Sequence, residues 1–267
     1  MVFLSVATSQ SFSQYKDDLV IDTAHIRCIY NLTWQPRPDR SEFKREDRVL
    51  LFIGENIRSS MAENIFLRDS IIRNVEPSIL WNDLSVIPET FMRFRTYRNY
   101  PTGKISTIDY IYTDVYEYDE PLSAMQWTLH PDTATIAGYL CQKATTDLGS
   151  RDWVAWFAPD IAIPEGPYKF HGLPGLIVKI EDTQQHYVFE LISVNHQQVP
   201  TLIYFPSRSF IATSKKNFLR TQNRFSQNPS SYIIEDQHGI LSDDPATQRQ
   251  IIRSLSRQNN YIELFEP

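Results

Sequence analysis

The sequence predicts a mainly β protein, β-rich α+β in class, built on an antiparallel sheet. Three observations predict it. Apolar and polar residues alternate over several short segments, the period of a strand with two unlike faces. Aromatic residues make up 13% of the 267 residues, and flat rings pack well on a pleated surface. Strands and helices do not alternate in the β-α-β order that a doubly wound sheet requires.

The elements follow from the N-terminal end. Ile26, Cys28, Tyr30, Leu32 and Trp34 share one face along His25–Trp34, and Pro36 and Pro38 end that run. Arg48–Ile53 is a short apolar run closed by Gly54. Met61–Val75 has Ile65 and Ile72 at mixed spacing, a weak helical signal, and Phe91–Tyr97 alternates weakly. Ile105–Tyr118 reads as one long strand with apolar residues on both faces. Thr135–Thr145, Asp152–Phe157, Leu176–Glu181 and Tyr187–Val194 read as four more, with Thr183–His186 as a hairpin link. Thr213–Phe225 places Phe218, Leu219 and Phe225 near helical spacing. In the last helix Asp244 suits the cap, Pro245 the first turn, and Ile251, Ile252 and Leu255 form a stripe. The stretch Pro200–Pro206 is expected to divide the sheet from the helical segment. The total is a curved sheet of about seven to ten strands, with helices on one side and at the C-terminal end.

Charge and composition narrow the function classes. The net charge of −6 and a longest basic run of only Lys215-Lys216 argue against a nucleic-acid partner. No stretch approaches the roughly 20 apolar residues of a membrane-spanning helix. Met1–Gln14 is apolar, then small and polar, like the tail of a secretory signal peptide whose basic start is missing. Residues 1–14 are therefore expected to be dispensable, and 15–267 to form a single domain. Cys28 and Cys141 are compatible with one disulfide or with two buried thiols.

Motifs of catalysis and metal binding are sparse. The histidines are His25, His130, His171, His186, His196 and His238, and no His-Glu-x-x-His occurs. There is no Gly-x-Ser-x-Gly elbow, phosphate loop or dinucleotide fingerprint. No cofactor and no metal site is expected.

One region is distinctive. Gly138-Tyr139-Leu140-Cys141-Gln142-Lys143-Ala144 precedes Trp153-Val154-Ala155-Trp156-Phe157 and Pro159-Asp160-Ile161. Gly166-Pro167-Tyr168-Lys169-Phe170-His171 and Gly172-Leu173-Pro174-Gly175-Leu176-Ile177 follow. This ordered series resembles the GLPGLI family, a largely uncharacterised group of secreted bacterial envelope proteins. The similarity is dense from about Trp127 to Asp182, and the closing Asn259-Asn260-Tyr261-Ile262-Glu263-Leu264 is similar to the family's usual ending. The resemblance implies export to the periplasm or envelope of a Gram-negative bacterium. It also implies a half-barrel loosely similar to periplasmic lipoprotein carriers. It supplies no catalytic residue.

Physically, Leu173-Pro174-Gly175-Leu176 suits a type II turn, with positive φ expected at Gly175. The loop before it, Pro159–His171, is stiffened by Pro159, Pro164 and Pro167. It presents Tyr168, Phe170 and His171 beside Trp156, which points away from Trp153 because their spacing is odd. Trp156, Tyr168, Phe170 and His171 are the candidate ligand-binding residues. Three functions compete. The first is a non-catalytic envelope protein that binds an apolar or peptide-like ligand, or an outer-membrane or periplasmic partner. The second is a hydrolase using His171 with Asp160 or Glu165. The third is a structural or assembly protein with no small ligand.

Overall fold

The computed structural model describes residues 18–76, 79, 88–89, 91–207, 209–230, 232, 244–256 and 259–265. The expectation for Met1–Gln14 lies outside them. The first half of the chain forms β1 (Leu19–Trp34), β2 (Arg45–Gly54), β3 (Arg58–Ala62), α1 (Glu63–Asn74), β4 (Arg95–Arg98), β5 (Lys104–Ile111) and β6 (Asp114–Pro121). Then come β7 (Thr128–Ile136), β8 (Tyr139–Leu148), β9 (Arg151–Ala158), β10 (Leu176–Asp182), β11 (Tyr187–Phe205) and β12 (Ile211–Ala212). Helices α2 (Lys215–Gln227) and α3 (Pro245–Ser256) follow.

The strands make one large, curved, open sheet in the order β12-β6-β5-β4-β3-β2-β1-β11-β10-β9-β8-β7. Every pairing is antiparallel except the short β12–β6 contact. Two local meanders, β1 to β6 and β7 to β11, meet along a single seam between β1 and β11.

The count of 12 strands exceeds the expected range, for identifiable reasons. What reads as one strand over Ile105–Tyr118 is the β5–β6 hairpin, with Ile111 opposite Asp114 and Tyr112 at φ 57°. Thr135–Thr145 is likewise split, between β7 and β8, with Ala137 and Gly138 at φ 50° and 84°. Two-residue turns with positive φ match the strand twist, but Tyr-Thr carries none of the usual turn residues. Conversely, β11 runs on to Phe205 instead of ending at Val194. Pro200 falls where the ladder slips between Ala24–Thr201 and Ile26–His196, a bulge that tolerates a residue with no N–H. It divides nothing.

Two faces of the sheet are covered. Cys28, Tyr30 and Leu32 of β1 share a buried layer with Trp153, Ala155 and Phe157 of β9 and with Phe189 of β11. On the opposite face Leu50 and Phe52 pack with Tyr97, Ile108 and Ile203. Helix α1 lies on this second side, where its Asp69 pairs with the buried Arg95 at 2.7 Å. Helix α2 lies on the first side, its Phe218 ring 5.2 Å from that of Tyr118. The helices therefore flank both faces rather than one, and both pack on the first meander, α1 against β2 and β3 and α2 against β5 and β6. Ser214 caps α2 by accepting from the Asn217 N–H, and Asp244 accepts from the Thr247 N–H at the start of α3. Cys28 and Cys141 are buried free thiols on β1 and β8.

Residues 259–265 close the structure as an irregular strap. Asn260 donates to the Gln35 carbonyl and accepts from Arg151, while the Leu264 N–H donates to the Gly149 carbonyl. Arg151 is anchored in turn by Asp182 at 2.9 Å.

Candidate functional site

The Pro159–His171 loop leaves β9 and returns as β10, and it is braced by hydrogen bonds within itself and to the Gly172–Ile177 corner. The Ile163 N–H donates to Ile161 and the Glu165 N–H to Ile163, both tight three-residue turns. The Gly172 N–H reaches the Pro164 carbonyl, and the Leu176 and Ile177 N–H groups reach Ile161 and Glu165. Within the loop the N–H groups of Ile161, Ile163, Glu165, Tyr168, Phe170 and His171 all find acceptors, at Ala158, Ile161, Ile163, Ser60, Pro167 and Met125.

The hexapeptide Gly172–Ile177 is a rigid corner, but its glycines serve differently from the expectation. Positive φ falls on Gly172, at 91°, and not on Gly175. The Gly175 N–H donates to Leu173 across Pro174, a three-residue turn instead of a type II turn. Gly175 is required by contact: a Cβ there would lie 2.2 Å from the Ala158 carbonyl oxygen. The corner presses directly on the end of β9.

Tyr168 and Phe170 lie in the core. Tyr168 adopts φ 56°, a costly conformation for an aromatic residue. Its surroundings fix it at every polar atom. The N–H donates to Ser60, the carbonyl accepts from Thr96, and the hydroxyl donates to Glu263 in a very short bond. Its ring meets Phe94 edge-on at 4.9 Å, and Phe170 meets Trp153 at 4.7 Å. Trp156 and His171 are half-buried, so solvent reaches these two and not the other pair. The exposed positions of the loop are Pro159, Asp160, Ala162 and Pro164. Met125 and Trp127 flank this rim, the Trp127 indole donating to the His171 carbonyl.

His171 does not meet either of its proposed carboxylates. Its Nδ1 lies 2.8 Å from the Lys169 carbonyl. Among the described residues, no hydrogen bond joins its ring to Asp160 or Glu165. Asp160 is exposed, and Glu165 is held between Arg58, at 2.8 Å, and Arg98. Burial, reinforced by the nearby Arg98 guanidinium, lowers the imidazole pKa, so the ring is neutral at neutral pH. Among the described residues no group of three or more His, Cys, Asp or Glu side chains is placed to hold a metal ion.

The strongest chemistry beside the loop lies in residues that sequence patterns do not single out. Lys169 is buried, and its ammonium reaches Glu263 at 2.5 Å, Glu120 at 3.0 Å and the Tyr118 hydroxyl at 3.3 Å. Lys215 of α2 reaches the same two carboxylates, at 2.5 and 3.2 Å. Two ammonium groups and two carboxylates thus close a box that joins loop, β6, α2 and strap. Burial pushes the Glu263 carboxyl up, but the Lys169 and Lys215 charges outweigh it and bring it down to about 2. Burial and the Glu263 charge keep the Tyr168 phenol protonated.

The sign of the pH effect follows. A carboxyl whose pKa falls from 4.5 in the unfolded chain to about 2 in the fold adds stability that is complete above the higher value. That stability is lost as pH falls through the lower one. The melting temperature is therefore expected to fall steeply between about pH 4.5 and pH 2. A Glu263→Gln variant, melted over the same range, is expected to show a shallower acid slope. Parallel slopes would show that other carboxylates dominate.

Residues 149–179, which hold β9, the loop and much of β10, match a family described as "Protein of unknown function (Porph_ging)". No curated protein matches the chain. Among solved structures it is similar to PNGF-II in a P21 crystal form, with 13% identity and a TM-score of 0.50 over 75% of this chain and 33% of that one. A C2 form of PNGF-II gives 15% identity and a TM-score of 0.46, over 76% and 32%. The chain thus spans about a third of the length of the PNGF-II structure, and what the two share at this identity is the β-rich fold.

Proposed function

We propose that this chain is a non-catalytic envelope protein of the GLPGLI kind that binds a peptide-like or apolar partner through the outer rim of the Pro159–His171 loop. The observation that carries the reading is the state of the loop's polar groups. Glu165, Tyr168 and Lys169 are all committed to internal partners, and His171 is bonded to backbone. Groups so engaged build a rigid surface rather than a reactive centre. The rim offers Pro159, Ala162 and Pro164 exposed, with Ile161, Ile163, Trp127 and His171 half-exposed. Such a mixture of apolar wall and few polar groups suits partner recognition. The similarity of residues 149–179 to a family of unknown function falls on this segment and agrees with a role for it, without naming one.

A Trp127→Ala, His171→Ala double variant tests the proposal, because both side chains lie on the rim and neither belongs to the buried box. Trp156 lies on the sheet face opposite Trp153, which meets the loop through Phe170. The variant is expected to keep the parent's circular dichroism and to lose the parent's partners in pull-downs from native envelope extracts. A folded variant that retains every partner would leave the loop as a plug for the sheet, the assembly reading. The hydrolase reading would return if His171→Ala abolished a measured hydrolysis.

A further inference from the structure

Arg45 opens β2, opposite Trp34 in the β1–β2 ladder. It stands at the end of β2 away from Arg58, the residue that holds Glu165 of the loop. Three aromatic rings surround its guanidinium. The centre of the Phe91 ring lies 4.1 Å from the guanidinium carbon, that of Phe43 5.6 Å and that of Trp34 5.9 Å. An aromatic face attracts a cation, and a flat guanidinium stacks on such faces. The Trp34 side chain is buried, whereas Phe43 and Phe91 are 46% and 49% exposed. The rings fix where the guanidinium stands and supply it with no hydrogen-bond acceptor.

No other group supplies one. Among the described residues the Arg45 nitrogens make no hydrogen bond and no ion pair. Nη1 is shut away from solvent without a partner. Nε and Nη2 also lack a partner but are not shut away, so water reaches them. Asp47, the carboxylate that acts on Arg45 electrostatically, accepts instead from the Met92 N–H at 3.3 Å. The neighbouring cations are engaged, Lys44 with the Gln185 carbonyl and Arg48 with Glu63. Elsewhere in the sheet Arg95, Arg98 and Arg151 are each paired with a carboxylate. Arg45 is thus a positioned guanidinium whose anion is missing from the chain.

We propose that Arg45, with the exposed Phe43 and Phe91 rings beside it, binds a carboxylate carried next to an apolar group. That chemistry belongs to a peptide C-terminus ending in a residue such as leucine, or to a free branched-chain acid. Nε and Nη2 form one edge of the guanidinium fork, and their two donors match the two oxygens of a carboxylate. The site has one cation, and Asp47 bears on it, so it balances a single negative charge better than the double charge of a phosphate. Phe43 and Phe91 give the apolar group a surface to cover. The rings hold the guanidinium in place before a ligand arrives, which lowers the ordering cost of binding. The proposal goes beyond the rim reading and does not depend on it.

The test is an NMR titration of the full chain with N-acetyl-leucine, using N-acetyl-leucine amide as the uncharged control. Saturable shifts are expected at Phe43, Arg45 and Phe91 with the acid alone, a comparison that needs no variant to fold. Arg45→Gln is expected to weaken the acid's affinity by about tenfold or more, and Arg45→Lys, which keeps the charge without the fork, to recover only part of it. Phe91→Ala leaves the charge in place and is expected to weaken binding as well. Isocaproate carries the same apolar group without the amide. Weaker binding of isocaproate than of N-acetyl-leucine assigns the site to a peptide end, and equal or tighter binding assigns it to a free acid. His171→Ala is expected to bind the probe normally, so failure of the rim reading leaves this result intact. Absence of saturation in the parent, or equal binding by the amide or by Arg45→Gln, would overturn the site.

Discussion

Replacing Glu263 by Gln is expected to lower the melting temperature by about 6–12 °C, the shift that about 3 kcal/mol produces in a chain of this size. The cost arises at Lys169 and not at Lys215. Lys215 is 30% exposed and can turn to water, whereas Lys169 is 1% exposed and cannot. Its only remaining anionic partner among the described residues would be Glu120, with the Tyr118 hydroxyl and the new amide as neutral neighbours, which leaves a buried ammonium under-compensated. The Tyr168 hydroxyl would also lose its strongest acceptor, with φ 56° still to be held. Adding Lys169→Met to Glu263→Gln is expected to recover part of the loss, since an apolar chain of similar length removes the stranded charge. A single variant that melts within 2–3 °C of the parent, below about 1 kcal/mol, would show that water or Glu120 compensates Lys169 fully.

Gly175→Val is expected to be at least as damaging, by about 3 kcal/mol or more, because the added atoms must displace backbone. The Ala158 carbonyl that a Cβ would strike also accepts from the Ile161 N–H and opens the register Ala158–Leu176. Moving it loosens β9, the loop and β10 together. Gly172 is the control. Its φ is 91°, but nothing lies within 4 Å of its Cβ position, so Gly172→Ala is charged only with backbone strain, about 1 kcal/mol. Urea unfolding of Gly175→Ala and Gly172→Ala compares contact with strain at matched chemistry. Equal losses in the two would refute the contact argument.

The fold class was legible because it rests on local periodicity. His25–Trp34 alternates visibly, and its inward residues Cys28, Tyr30, Leu32 and Trp34 are all buried. Hairpin boundaries were not legible, since Tyr112 takes positive φ without being a residue type that favours it. At the candidate site, the rigid corner could be read from Gly and Pro, but which glycine needed what could not. That depended on the approach of β9, a tertiary fact. The box was out of reach for the same reason. Lys169 and Glu263 are separated by 94 residues, and a lysine between Tyr168 and Phe170 reads as a solvated interruption of an aromatic run. Its burial could only have been inferred from its two neighbours, both of them core residues.

The seam between β1 and β11 has a consequence for how the chain folds. Each meander is made of neighbours in sequence, joined by hairpins except where α1 lies between β3 and β4 and the Pro159–His171 loop between β9 and β10, so most of its contacts are local and close quickly. The seam joins Leu19 to Phe205 and Trp34 to Tyr187, contacts that must wait until β11 has been synthesised. Until then the 16-residue β1 and later the 19-residue β11 are open edges, each a row of unpaired N–H and C=O groups that can template pairing with another chain. Docking of the two meanders is therefore the slow and aggregation-exposed step of folding. Misassembly by exchange of a whole meander between two molecules would reproduce the same seam, so a domain-swapped dimer is the natural by-product of refolding at high concentration.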